Sequence, residues 1–138
     1  MFARLLRPTT VAHAHCDIPC GIYDPTPAKI AADTVAKMVE KIGQLPELSK
    51  RTENDRGNLI RMVTVKEQHA ELCKKELQVL WSDYFKPEHV QKYPNLHDTF
   101  WKALKLASKN KQNIDAQAAA DLQGAVKEIS DIFWATKK

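Results

Sequence analysis

Glycine is scarce in this chain, with four in 138 residues. That excludes a turn-rich β protein, whose hairpins call on glycine repeatedly. Cysteine is scarce too: Cys16, Cys20 and Cys73 are the full set. An odd, low number is not a disulfide framework. The spacing Cys16-x-x-x-Cys20 is not the C-x-x-C of thioredoxin-like proteins, and no second cysteine pair completes a structural zinc site. No apolar run approaches the ~20 residues of a membrane-spanning helix, so no membrane partner is expected. Charge of one sign is also in short supply. The formal net charge is +4, and Arg4 and Arg7 near the start supply half of it. So small a surplus does not point to nucleic acid. It suits a small anionic substrate, because long-range fields raise association rates.

What is present is helical. The length is that of one domain with room for its own core, and a hydrophobic fraction of 43% with 28% charged residues is that of an ordinary globular protein. Residues 27 to about 43 read as a first helix, with Thr26 as N-cap, Pro27 at the first helical position and Gly43 as the stop. Its seam is Ala31, Val35, Met38 and Ile42. A second helix, about 55–82, carries Leu59, Val63, Ala70, Cys73, Leu77 and Leu80, a seam interrupted only at Lys66. Met62, Val65, His69, Leu72 and Val79 widen that stripe, as expected of a central helix. The segment "YFKPEHVQKYPN" reads as a turn with a short helical piece. A third helix runs to about 108 on Leu96, Phe100, Leu104 and Ala107, and Asn113 or Asp115 opens a fourth with Leu122, Val126, Ile129 and Phe133 inward. The expected fold is therefore all-α, an antiparallel four-helix bundle over residues 24–138. Cys73 on the seam reads as a buried, inert thiol. Met38, Met62 and Trp81 read as core, and "KKE", "KLASKNKQ" and "TKK" as solvated helix faces.

The first fourteen residues, "MFARLLRPTTVAHA", are basic and end in Ala12-His13-Ala14. A secretory signal needs an unbroken apolar stretch of ~7–15 residues, and Arg4, Arg7, Pro8, Thr9 and Thr10 break this one. Residues 1–14 read as a pro-segment that a protease removes, and the expected compartment is the cytoplasm.

Chemistry concentrates in "HCDIPCGIYDP", residues 15–25. Cleavage after Ala14 leaves His15 with a free α-amine. That amine and the Cys16 amide nitrogen can close a five-membered ring on a metal, and the Cys16 amide and its own sulfur close another. Cys20 adds a second sulfur, helped by the turn at Pro19 and Gly21. The His15 imidazole remains for an axial approach. A planar set of two nitrogens and two thiolates favours Ni(II) or Cu(II) over tetrahedral zinc. Such strong donors lower a metal potential and suit one-electron chemistry on a small molecule. Spacing alone leaves a Cys16–Cys20 disulfide and an adventitious metal site equally open.

The pattern H-C-x-x-P-C-G-x-Y is complete here at His15, Cys16, Pro19, Cys20, Gly21 and Tyr23, and it resembles the nickel-binding hook of nickel-dependent superoxide dismutases. The similarity continues through "VKEQHAEL", "LWSDYFKP", "KYPNLH" and "IFWATKK". The resemblance implies a four-helix bundle assembled as a homohexamer, a leader removed by a protease, and one nickel ion per subunit cycling between Ni2+ and Ni3+. Superoxide would be disproportionated to oxygen and hydrogen peroxide. It implies metal ligands at His15, Cys16 and Cys20, and tyrosines lining the approach at Tyr23 and Tyr84. Asp17 would lie beside the site and Asp83 next to Tyr84.

One departure stands out. Family members carry a Glu where this chain has Ala31 and an Arg where it has His69, and those groups help hold the axial imidazole. By the resemblance His69 should point toward a hook in the assembly, and it is expected to replace part of that support, directly or through a water. Two other readings fit the same residues: a nickel or copper carrier without catalysis, and a thiol switch built on Cys16 and Cys20.

Overall fold

The structure is a computed structural model that describes residues 20–137. The leader, His15, Cys16 and Asp17 lie outside the described residues. The described chain is helical: α1 (Thr26–Gly43), α2 (Glu53–Val79), α3 (Pro87–Lys92), α4 (Leu96–Gln112) and α5 (Ala116–Thr136). A short 3-10 turn, Leu48–Lys50, lies between α1 and α2. The expected four-helix bundle is thus formed by α1, α2, α4 and α5, with α3 as the short helical piece between prolines.

Each long helix packs on two others, in the ring α1–α2–α4–α5. Cross-bundle pairs fix the directions. Lys74 meets Ser108 at 3.1 Å and the Trp81 ring meets Phe100 at 5.1 Å, so α2 and α4 run antiparallel. Gln123 donates to Asp33 at 2.7 Å and Lys137 to the Tyr23 carbonyl at 3.0 Å, which makes α5 antiparallel to α1. The larger core joins Ala28, Ala31 and Ala32 to Leu77, Leu80, Phe100, Leu122 and Phe133. Alanines on α1 let its backbone approach closely, and each buried aromatic or leucine contributes ~1.5–3 kcal/mol.

Helix ends follow local chemistry. Thr52 and Asp55 form a reciprocal capping box at the start of α2, and Asp115 caps α5 through the Ala118 amide at 3.0 Å. Several expectations need correction. Thr26 is not the N-cap of α1; its amide is instead held by Asp24 Oδ1 at 2.7 Å. Gly43 is the last helical residue rather than a left-handed stop, since Gly21 is the one described glycine with positive φ. Met38 and Met62 are only half-buried, because Val39 and Ala70 face the α1–α2 seam in their place, and Leu72 is exposed.

Lys66 does not interrupt the core; it is 1% exposed. Its Nζ donates to the carbonyls of Asn110 and Lys111, the latter at 3.1 Å. These carbonyls belong to the last turn of α4, where intrahelical partners run out. "KLASKNKQ" is accordingly not all solvated: Asn110 is fully buried and donates to the Leu106 and Ala118 carbonyls at 2.9 and 2.8 Å.

Candidate metal centre

Tyr84 owes its position to the end of α2. Residues Leu80–Tyr84 form one π turn, closed by the Phe85 amide on the Leu80 carbonyl at 3.0 Å. A π turn is rare and often marks a functional position. Here it brings Tyr84 and Phe85 together onto the core, in contact at 5.0 Å. The Tyr84 ring is also wedged against Phe133 at 4.3 Å and stacked on His89 at 5.7 Å.

Tyr23 comes from the opposite direction, just ahead of α1. Its ring lies 5.8 Å from that of Tyr84, tilted by 56°. The two tyrosines line a hollow of about 430 Å³ together with Gly21, Asp83, Lys86 and Thr136. Asp83 therefore faces the same space as Tyr84. A somewhat larger hollow, about 540 Å³ between Met38, Leu45 and Met62, has no His, Cys or carboxylate in its lining.

Cys20 immediately precedes Gly21, which lines the tyrosine-walled hollow. Gly21 next to it adopts φ 68, the left-handed conformation that favours glycine. Among the described residues nothing beyond its chain neighbours lies within 4 Å of where a Gly21 side chain would start, and the positive φ is what favours glycine there. The Cys20 sulfur is exposed and accepts the Ile22 amide at 3.4 Å. An anionic sulfur accepts such a bond more strongly than a neutral thiol. Cys73 is the opposite case: it is fully buried, and burial pushes its thiol up to about 12. A sulfur that holds its proton so tightly is no metal ligand.

Among the described residues no three His, Cys, Asp or Glu side chains gather to hold a metal. The donors that precede Cys20 in sequence, a histidine and a second cysteine, fit a late transition metal.

Two further elements were missed by sequence reasoning. "TKK" is not merely a solvated face. The Thr136 hydroxyl lies 2.8 Å from the Tyr84 hydroxyl, and Lys137, though exposed, reaches the Tyr23 carbonyl. No local pattern signals either contact. Asp24, beside Tyr23, is held below the usual carboxylate range by hydrogen bonds from the Thr26 hydroxyl and amide, with a smaller contribution from the Lys137 charge.

His69 and Ala31 are placed as follows. Ala31 is fully buried in the core. The half-buried His69 donates Nδ1–H to the Val65 carbonyl at 2.9 Å, because a carbonyl can only accept. That leaves Nε2 as an acceptor. Fifteen residues of helix separate it from Tyr84, about 22 Å at 1.5 Å per residue. Within one subunit it is remote from the hollow.

The fold and this hollow define a class: an all-α bundle with a tyrosine-lined hollow where the segment ahead of α1 meets the end of α5. The chain belongs to the nickel-containing superoxide dismutases, whose family profile matches residues 10–137. Members are oxidoreductases acting on superoxide with a nickel cofactor, and this chain is one of them. It is 41% identical to the nickel superoxide dismutase of Streptomyces seoulensis over 138 residues, all of this chain and 99% of that protein. It is 43% identical to that of Streptomyces coelicolor, again over all of this chain and 99% of the relative. A native nickel superoxide dismutase structure superposes with a TM-score of 0.79 at 41% identity, covering 90% of this chain and all of that one. A form solved after partial X-ray-induced reduction gives 0.79 and 41%, over 89% and 98%.

Proposed function

We infer that the mature protein begins at His15 and disproportionates superoxide at a nickel ion held by residues 15–20. The observation that carries this reading is the pair Tyr23 and Tyr84, whose rings lie 5.8 Å apart and which line one hollow with Gly21, the residue that follows Cys20. The His15 amine and ring, the Cys16 amide nitrogen and the Cys16 and Cys20 sulfurs would hold the nickel ion, one site per subunit. Nickel bound there supplies a one-electron couple, Ni(II)/Ni(III), so that two superoxide ions and two protons become oxygen and hydrogen peroxide.

The chain's own groups do the rest. Tyr23 and Tyr84 narrow the approach to a size that suits a small anion. Asp17 and Asp83 flank the site. The N–H of Ile22 steadies the Cys20 sulfur as an anion. His69, too far from the hollow of its own subunit, supports the His15 ring of another copy in a homohexamer, where its Nε2 can accept a hydrogen bond directly or through water.

A processing protease removes residues 1–14, because an uncut chain would offer an amide in place of the basic His15 amine. The broken apolar stretch in that leader favours a cytoplasmic location.

The test is intact mass, nickel content and superoxide decay, measured on full-length and processed protein. A processed chain starting at His15 with one nickel per subunit should be the active one. Turnover by nickel-loaded full-length protein would sink the cleavage requirement. Nickel binding without superoxide decay would favour a carrier, and activity without metal a thiol switch.

A further inference from the structure

The Tyr84 ring is fixed on three sides by Phe85, His89 and Phe133. What remains to be set is the direction of its hydroxyl hydrogen. The Tyr84 oxygen lies 2.8 Å from Oγ1 of Thr136. A threonine hydroxyl has one hydrogen, and that of Thr136 goes to the Phe133 carbonyl at 2.7 Å. A carbonyl can only accept. The hydrogen between Tyr84 and Thr136 therefore belongs to Tyr84. The chain of donors runs from Tyr84 through Thr136 to Phe133 and ends in the last turn of α5, where carbonyls lack intrahelical partners.

We propose that Thr136 is the positioning residue of Tyr84: it draws the phenol hydrogen onto α5 and leaves the lone pairs of the Tyr84 oxygen for the hollow. Tyr84 then meets the substrate side as a hydrogen-bond acceptor and not as an acid. An acceptor at that place holds a proton-bearing species, such as water or the protonated dioxygen product, in preference to the superoxide anion. The proton for peroxide comes from elsewhere in the hollow. This rests on the reading of the hollow as the approach to nickel, but the hydrogen's direction can be read without the metal.

The experiment uses Thr136→Val, which keeps shape and loses the hydroxyl, and Thr136→Ser, which keeps it. The chain has three tyrosines, so the Raman Fermi doublet of each protein minus its Tyr84→Phe counterpart isolates Tyr84. In nickel-free protein the doublet should report a donating phenol in the parent and in Thr136→Ser, and a changed state in Thr136→Val. In nickel-loaded protein Thr136→Val should turn over superoxide about three- to tenfold more slowly, the worth of one net hydrogen bond. Nickel content should be unchanged and Thr136→Ser within twofold of the parent. If Thr136→Val does not fold, Thr136→Ala makes the same comparison. A doublet that is the same in parent and Thr136→Val overturns the assignment. A changed doublet with an unchanged rate overturns the positioning role. Absence of dismutation in every nickel-loaded protein, with the doublets as expected, would instead strike the functional reading.

Discussion

The ammonium of Lys137 donates to the carbonyl of Tyr23 at 3.0 Å, joining two residues 114 positions apart. The same side chain lies over the Phe133 ring at 4.9 Å. The last turn of α5 thus clasps the root of the N-terminal segment, while its neighbour Thr136 holds Tyr84.

Lys137→Gln should loosen this clasp without unfolding the bundle, since the lysine is exposed and such contacts are worth ~1 kcal/mol or less. Amide exchange at residues 20–24 should rise several-fold while α2 and α4 exchange as before. Uniform exchange across both regions would count against the clasp. Asp24 shares in it, and its lowered pKa sets the sign of the pH effect. Its contribution is present above the unfolded carboxylate value of roughly 4 and is lost as pH falls through the folded one. Loosening of residues 20–26 should therefore begin only below about pH 4, and Asp24→Asn should show it at neutral pH.

The two described cysteines should separate cleanly. In nickel-free native protein iodoacetamide should modify Cys20 and leave Cys73 intact until the chain unfolds. Cys20→Ser should lose nickel and activity, because a hydroxyl is a far weaker donor than a thiolate. Cys73→Ser should keep both at a cost of ~1–3 kcal/mol for the buried hydroxyl. With the folded Cys73 thiol at about 12, its stabilising share is full below the unfolded value and declines above it. From about pH 8.5 upward the parent should lose ~1 kcal/mol per pH unit more than Cys73→Ala. Parallel denaturation curves would refute this.

Lys66 braces α4 from inside the core. Lys66→Ala removes its stem and leaves two carbonyls, one buried and one part-buried, short of a donor, so denaturant unfolding should show a loss of ~2–4 kcal/mol. Burial lowers the pKa of this lysine. Its share of stability should accordingly rise with pH between its folded value and the unfolded value of roughly 10.4, opposite in sign to Cys73. A Lys66→Ala protein as stable as the parent would show that the α4 carbonyls find other donors.

His69→Ala should keep nickel and slow catalysis by about tenfold, the low end of what partners of a metal-bound histidine usually contribute. Because His69 is remote from its own subunit's hollow, the effect should appear only in the assembled oligomer. Pulse-radiolysis rates within twofold of the parent would show that a backbone carbonyl or water orients His15 instead.

Helix number, approximate boundaries and the inert character of Cys73 were legible in the sequence, because 3.6-residue periodicity and capping are local properties that survive without neighbours. The family was legible for a related reason: the pattern that points to it, residues 15–23, is continuous in the chain. Tertiary structure alone decided the rest. The seam of α2 admits Lys66 because the end of α4 presents carbonyls that need a donor there. A π turn, invisible to a count of apolar positions, places Tyr84 on the core. Thr136 becomes part of the hollow, and Lys137 reaches the Tyr23 carbonyl, because α5 runs antiparallel to α1 and its last turn ends beside the segment that precedes α1. Contacts between residues so distant in sequence depend on which helix ends meet, and that is settled by packing the whole bundle.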